Sequence, residues 1–482
     1  MHDVALVTRS ESARAGEAAS PRETGPLVIA LLTFILVLFL RNLLNDGDTL
    51  WQIRTGEWIL DHHAIPRVDP FAYTTAGHPW LAHEWLSEVL LALAYRAAGW
   101  RGVLALAALA SALTFGLLAR HLRRFLPPLP AMFLVVLAAA VLSPSWLARP
   151  HLFGLPCLEL WTASLVLARA RGEAPPLALL PLMTLWANLH GSFMIGLTLP
   201  FAFLLEAMLA GGRARPWIVF IAGAWVAALI TPDALAGLLF PFHMLGMQSI
   251  AFIGEWLPPN FSKPIPLEII ILMGLWLGLS GRARLPWLRL LIFLGLIHAA
   301  LQHGRHVQLL AIVAPLVLAE PISHLLPPRL AALPRLRWLL PAVLAALPLA
   351  VAVRAALPLR HYPYYQAADA LGKLPPAVRA APVLNDYAYG GLLIFEGIRP
   401  FIDSRADLYG DAAISRYADI IWPMPTALEA AVAKYGIAWT FLKPDNRLVG
   451  LLDREPGWRR LYADEWVIVH ARTGIAPAPS TP

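Results

Sequence analysis

The sequence predicts a polytopic α-helical membrane protein of about eleven transmembrane helices, with a small C-terminal α/β domain on one side. Three observations predict it. The 482 residues are 58% hydrophobic and only 14% charged, against about 25% charged in a soluble domain. Apolar runs of roughly 18 to 20 residues, the length that crosses a bilayer, recur as far as residue 356. Arginine falls on alternate connections: Arg120, Arg123 and Arg124; Arg169 and Arg171; Arg213 and Arg215; Arg282, Arg284 and Arg289; Arg329, Arg335 and Arg337. By the positive-inside rule these connections face the cytoplasm. Every polar cluster able to do chemistry then falls on the other face.

Residues 1–25 are polar and mixed in charge, and read as a disordered cytoplasmic tail. The next apolar run is too long for a signal peptide and lacks a clear cleavage site, so it reads as a retained helix. The membrane region, 26–357, is expected to cross near 27–44, 101–119, 131–147, 152–168, 175–189, 192–210, 216–231, 266–280, 287–301, 306–320 and 338–356. That leaves the N-terminus inside and the C-terminus outside. The stretch 83–98 sets Glu84, Glu88 and Arg96 among Leu and Ala at helical spacing, which fits a helix lying in the interface. Counted as a span, it would turn thirteen arginines outward. The first outer loop, 45–100, is therefore expected to hold an amphipathic helix at about 50–61, a proline-punctuated stretch from Ile65 to Pro79, and the interfacial helix.

From residue 358 the charged fraction rises to a soluble level, and 358–474 reads as a periplasmic α/β domain. Strands are expected at Pro382–Leu384, Leu392–Phe395, Ile437–Leu442 and Trp466–His470, and helices at 411–421 and 425–435. Asn385-Asp386 and Gly390-Gly391 read as a tight turn between strands. Residues 475–482 read as a disordered end.

The net charge of +7 rests mostly on loop arginines that orient spans and meet lipid headgroups, so it implies membrane lipids and no nucleic acid. The single Cys157 excludes an intramolecular disulfide and a thiolate metal set.

The outer loops supply the candidate site. Asp46 and Asp48 stand one residue apart at the membrane surface, suited to a shared divalent cation or general-base work. Asp48 also fits a helix N-cap before Thr49-Leu50-Trp51. His83-Glu84 is a metal-ligand or acid–base pair, or else Glu84 only favours the helix dipole. Asp48, His83 and Glu84 are the candidates for a divalent metal ion. Arg149, beside Pro150 and His151, is a natural phosphate ligand or a snorkelling residue. Asn188 and His190 end a helix on the outer side, as caps or interhelical bonds. The turn from Gln302 through His303, Gly304 and Arg305 to His306 is too polar to be explained by packing and suits a lipid-linked phosphate or a metal. Asp233 and Glu255 lie on the same side. In the tail, Asp386 and the alternating Asp403, Arg405 and Asp407 form either a ligand face at a strand end or an ion-pair network closing the domain over the membrane.

Three segments of the first loop carry a resemblance. They are Asp48-Thr49-Leu50-Trp51-Gln52-Ile53-Arg54-Thr55-Gly56-Glu57-Trp58, Ile65-Pro66-Arg67-Val68-Asp69-Pro70-Phe71, and Trp80-Leu81-Ala82-His83-Glu84-Trp85-Leu86. This loop resembles bacterial membrane proteins grouped near the GT-C glycosyltransferases, which include protein O-mannosyltransferases, oligosaccharyltransferases and lipid A aminoarabinose transferases. Asn188–Gly191 and Arg305–His306 match more loosely. Asp386-Tyr387-Ala388-Tyr389-Gly390 is faintly similar to the Trp-Trp-Asp-Tyr-Gly element of oligosaccharyltransferases. The paired Trp is missing, so acceptor-peptide recognition does not carry over. The resemblance implies a GT-C-like bundle, a polyprenyl-phosphate-linked sugar donor, a catalytic Asp at Asp48 or Asp46, and phosphate stabilisation by Arg305 or Arg149.

The expected function is therefore sugar transfer from a polyprenyl-phosphate donor to a cell-envelope acceptor on the periplasmic face of the inner membrane. The alternative is a non-catalytic protein that assembles or exports envelope polysaccharide. A secondary transporter would show charges near the midplane. Here Glu159 and Glu206 are the few candidates, and both lie toward cytoplasmic halves.

Overall fold

The computed structural model describes residues 21–249, 253–281, 285–326, 338–359, 363–422, 424 and 426–474. The expected disordered segments 1–20 and 475–482, and Arg282, Arg284, Arg329, Arg335 and Arg337, lie outside the described residues. Residues 21–25 are not a tail but the first turns of α1 (Pro21–Leu38). A short loop leads to α2 (Asp48–His62).

The helix α3 (Trp85–Leu122) is broken at Ala98 and at Gly99, whose φ of 58° is open to glycine without a Cβ clash. The break falls where the sequence predicts the change from interfacial helix to span. Then follow α4 (Pro128–Leu142), α5 (Pro150–Ala170), α6 (Leu180–Leu189), α7 (Phe193–Leu209), α8 (Ala214–Ala228), α9 (Ala234–Gly246), α10 (Pro266–Leu279), α11 (Trp287–Gln302), α12 (Val307–Ser323) and α13 (Leu339–Ala356). The helix α9 lies where no element is expected.

Among the described residues, five helices are long and apolar enough to cross a membrane, not eleven. Seven more are apolar but shorter. Their ends are trimmed by prolines and by polar turns, as at Pro176 and Pro181 around α6. The chain is a polytopic α-helical membrane protein with one continuous apolar core running through α3, α5, α7 and α12. Small residues let the helices approach: a Cβ on Gly116 would stand 2.8 Å from Ala30 Cβ, between α3 and α1. On the cytoplasmic side of the expected topology, Arg289 binds Glu206 with two bonds of 3.1 Å and Glu320 with one of 2.8 Å. Glu159 bonds His121 at 2.7 Å. These pairs account for the intramembrane acids by packing.

The C-terminal region begins with α14 (Pro363–Lys373) and α15 (Pro376–Ala380), then β1 (Val383–Asn385), α16 (Gly390–Phe395), α17 (Ala406–Ile421), α18 (Ala427–Tyr435), β2 (Trp439–Phe441), α19 (Arg447–Leu452), β3 (Trp458–Ala463) and β4 (Ile468–Arg472). The sheet order is β1-β2-β4-β3. β1 and β2 run parallel, joined through α16 to α18, and the β3–β4 hairpin adds antiparallel.

Two expectations fail here. Leu392–Phe395 is helix, not strand, and Gly390-Gly391 starts that helix instead of turning between strands. The reason is contact. A Cβ on Gly390 would stand 2.3 Å from Ile402 O, and one on Gly391 2.2 Å from Gly47 O. Gly390 lets α16 press onto the Ile402–Asp403 segment of the tail, and Gly391 lets it press onto the first loop at Gly47.

The tail shares its core with that loop. Leu50 packs among Tyr389, Leu392 and Phe441, and Ala72 among Phe401, Tyr409 and Leu448. Arg54 Nε donates to Phe395 O at 2.8 Å, and Tyr73 OH to Val383 O at 2.9 Å.

Candidate active site

Six chain segments bring their polar ends to one place, tied to one another by backbone and side-chain hydrogen bonds. Ala148 N–H donates to Leu43 O at 2.8 Å and Thr49 Oγ1 to Ala148 O at 3.1 Å. These bonds fasten the start of α2 to the N-cap of α5. Arg149 at that cap therefore faces both acids: Nη2 lies 2.6 Å from Asp48 Oδ2 and Nε 3.3 Å from Asp46 Oδ2. Asp48 is the first helical residue and Gly47 the cap, so the N-cap reading does not hold. Asp46 Oδ1 takes the Asp48 N–H at 2.9 Å. The other Asp48 oxygen accepts from Ser404 Oγ, which accepts in turn from Trp51 Nε1 at 3.0 Å.

Glu84 caps α3. Gly56 of α2 lets α3 close in, since a Cβ there would stand 2.0 Å from Glu88 O. Trp85 Nε1 donates to Asn188 Oδ1 at 2.7 Å, and Ser87 Oγ to Leu189 O at 2.6 Å. Asn188 Nδ2 reaches Ile230 O at 2.9 Å. Asn188 is thus a tie between helix ends. The tie sets His190 Nε2 3.5 Å from Glu84 Oε1, with its Nδ1 on Ser192 Oγ.

Two further turns complete the site. Gly304 N–H donates to Leu257 O at 2.9 Å and His303 Nδ1 meets Trp256 O at 2.7 Å, joining the turn at 254–256 to that at 304–306. Glu255 bridges the arginines: Oε2 lies 2.8 Å from Arg149 Nη1 and Oε1 3.3 Å from Arg305 Nη1. Arg305 lies over the Trp256 ring at 4.4 Å. The His306 ring sits 6.1 Å from Trp256, with its buried Nδ1 lacking a protein partner.

The acids respond differently to this crowding. Burial pushes the Asp46 carboxyl up to about 7 against the pull of Arg149, with Asp48 adding to the rise. Burial likewise raises Glu84 to about 7 against Arg149 and Arg305. For Glu255 burial acts upward too, but Arg149 and Arg305 outweigh it and hold the carboxyl at about 2. His190 is held well below its ordinary value by burial first, then by His151 and Arg305, so it stays neutral. The site thus holds two carboxyls poised near neutrality beside two guanidiniums, a setting for proton acceptance next to an anion.

Of the remaining expected residues, His83 borders this cluster and Asp386, Asp403 and Arg405 lie in the tail. His83 stacks on Phe240 at 3.9 Å, with Nε2 3.8 Å from Glu84 Oε1. Among the described residues no group of three or more His, Cys, Asp or Glu is arranged to hold a metal ion, and Asp48, His83 and Glu84 are not gathered into one. Asp386 accepts from Ala388 N and Asn446 Nδ2 inside the tail.

Asp403, Arg405 and Asp407 do not share a strand face. Arg405 N–H turns back onto Asp403 Oδ1 at 3.0 Å and α17 begins at Ala406, carrying Asp407. Arg405 grips Asp403 through Nε and Nη2 at 2.8 and 2.6 Å, and reaches Asp69 of the first loop at 2.8 Å through Nη1. Asp403 and Arg405 are buried at 0% and 2% exposure, and their bonds tie the tail to the first loop.

Residues outside the expected set enter the site: Glu255, Ser404, and Tyr387. The Tyr387 hydroxyl is buried without a protein partner, and its titration feels Asp48, Asp403, Asp407 and Glu255. Glu88, one turn after Glu84, is 1% exposed with one oxygen unpartnered. An apolar groove lined by Trp85, Leu86, Pro181, Leu185 and Ile230 opens beside this cluster.

No family model matches the chain, and no curated protein matches it. Among solved structures it is similar to the crystal structure of ArnT from Cupriavidus metallidurans bound to undecaprenyl phosphate. Identity there is 16%, covering 96% of this chain and 100% of that one, with a TM-score of 0.52. The apo state of ArnT from the same organism gives 14% identity, 94% and 98% coverage, and a TM-score of 0.53. At such identity the likeness shows the fold alone: a polytopic helical membrane bundle with a C-terminal domain.

Proposed function

We propose that the chain is a glycosyltransferase of the bacterial inner membrane, moving a sugar from a polyprenyl-phosphate donor to an envelope acceptor at the periplasmic face. The observation that carries this reading is the meeting of Asp46, Asp48 and Glu84 with Arg149 and Arg305, from segments far apart in sequence. The likeness in fold to a protein whose crystal structure holds undecaprenyl phosphate supports it. In this reading α9 lies along the interface. The five long helices and the other six shorter ones then give eleven crossings, with the N-terminus cytoplasmic and the tail periplasmic.

The acceptor hydroxyl or amine attacks the anomeric carbon. Its proton passes to Asp48, and the bond from that carbon to the phosphate oxygen breaks, the electron pair leaving with polyprenyl phosphate. Arg149 and Arg305 stabilise the charge that grows on the phosphate. Glu84 and the neutral His190 beside it give the proton a route onward. The polyprenyl chain lies in the apolar groove beside Trp85. His83 and Asp407 face the acceptor side.

The test is release of polyprenyl phosphate from a polyprenyl-phosphate sugar by the reconstituted protein. Asp48→Asn keeps the side chain's volume, and Arg149 keeps Asp46 and Glu255. Release should fall about 100-fold or more while the protein still accumulates. Wild-type protein inactive with every donor sugar offered would replace this reading with that of a non-catalytic protein in polysaccharide assembly or export.

A further inference from the structure

We propose that Glu255 occupies the seat of the donor's phosphate, so that phosphate binding and loss of the Glu255 bridge are a single exchange. This rests on reading Arg149 and Arg305 as the phosphate site.

The faces of the two arginines leave little choice. Arg149 turns Nη2 to Asp48 and Nε to Asp46, both fixed at the start of α2. The face left for a ligand is Nη1, and Glu255 Oε2 holds it at 2.8 Å. Arg305 lays its plane on Trp256 and points Nη1 at Glu255 Oε1, 3.3 Å away. An anion that contacts both guanidiniums must stand where the Glu255 carboxylate stands. Two oxygens of a phosphate present the same charge sign and the same forked acceptor as that carboxylate.

Glu255 differs from the other acids in how it is held. Asp46 accepts a backbone N–H and Asp48 a hydroxyl. Among the described contacts the Glu255 carboxylate binds only the two arginines. It rides on a three-residue turn, Gly254–Trp256, whose backbone is tied to the 304–306 turn, and its side chain is 31% exposed. With its carboxyl held at about 2, acid does not release it at working pH, so another anion must. Until a phosphate arrives, it balances two guanidiniums that would otherwise repel. A tethered carboxylate of this kind weakens apparent phosphate binding by the fraction of time it fills the seat.

The experiment measures binding to the full chain in lipid nanodiscs, with undecaprenyl phosphate, undecaprenol and inorganic phosphate as probes. Trp256, whose ring lies against the Arg305 guanidinium, reports it by fluorescence against a Trp256→Phe control. Glu255→Gln should bind undecaprenyl phosphate about tenfold more tightly than wild type and leave undecaprenol unchanged. In an Arg305→Met background the gain should vanish, because the seat then lacks its second guanidinium. A comparable gain with inorganic phosphate supports the exchange with the free anion as its source. A gain confined to the lipid supports it with the headgroup. Equal or weaker lipid binding by Glu255→Gln, with binding still lost in Arg149→Met, overturns the exchange and leaves the phosphate site standing. No phosphate binding by any of these proteins overturns the phosphate site, and the exchange with it.

Discussion

Arg405 meets Asp403 and Asp69, and Arg149 meets Asp46, Asp48 and Glu255. Both are arginines among carboxylates at the first loop. In the Arg405 cluster nearly every bonding position is filled. Asp69 also accepts Phe71 N, Ala72 N and Thr75 Oγ1, and Asp403 accepts Tyr409 OH at 2.8 Å. The Trp80 ring lies over the guanidinium at 4.7 Å. In the Arg149 cluster the positions are short-filled. Among the described residues Asp46 Oδ2 has no hydrogen bond, burial raises Asp46 and Glu84 to about 7, and the Glu255 carboxylate is held by the two arginines alone. A buried charge with its bonds saturated fixes two pieces of chain together. A buried charge left short keeps capacity for a ligand.

The largest effect should separate the two arginines. Arg405→Met strands Asp403 and Asp69 without a cation in the interior and should cost about 3–5 kcal/mol of stability, read as thermal unfolding in detergent. Arg149→Met should cost about 1–2 kcal/mol, because Asp46 and Glu84 already hold protons readily near pH 7. Equal losses would break the comparison.

A smaller effect tests whether the tail holds the site together. Gly391→Ala sets a Cβ against the backbone carbonyl of Gly47, an atom that cannot swing aside. It should cost about 1–3 kcal/mol and reduce transfer with it. Gly450→Ala, where a Cβ meets nothing within 4 Å, should be neutral or slightly stabilising. If Gly391→Ala unfolds no earlier than Gly450→Ala, the tail does not press on the loop.

The smallest effect is in pH dependence. The Glu84 carboxyl lies near 7, above the ordinary 4.5, so it is neutral below neutrality and charged above. If its charged form takes up the proton, transfer should rise within about tenfold as pH climbs through neutrality. Glu84→Gln should flatten that rise, leaving the part that belongs to Asp46. The stability sign runs the other way. The folded protein holds the proton more tightly than the unfolded chain, so stability is full below about 4.5 and declines as pH rises toward 7. Glu84→Gln should therefore unfold at a higher temperature than wild type at alkaline pH.

Much of the membrane region is legible in sequence, because lipid forces backbone groups into helices and leaves apolar runs as their trace. The site acids and both arginines are also legible, as polar residues at helix ends where hydrocarbon makes them costly. What composition does not carry is pairing. Glu255 and Arg149 stand 106 residues apart, and nothing local marks them as partners. Leu392–Phe395 is a short apolar run, and four residues are too few to show a period. Asp403, Arg405 and Asp407 alternate as a strand face would, yet Arg405 aims at an aspartate 336 residues away and the backbone curls to let it. Tyr387 carries only the faint signal of its place in the Asp386–Gly390 stretch, since its buried hydroxyl exists only once the surrounding walls do.

The bond from Ser404 to Asp48 has a consequence for how the protein is made. Ser404 lies 356 residues after Asp48. At a synthesis rate of about 5–20 residues per second, roughly 20 to 70 s separate the two on the ribosome. Through that interval the first loop waits with its acids in place and one wall absent. The wall arrives only after the last membrane helix has been made and the tail has folded. The surroundings of Asp48 are thus completed last, and a nascent chain stalled or clipped before α16 is left without that wall.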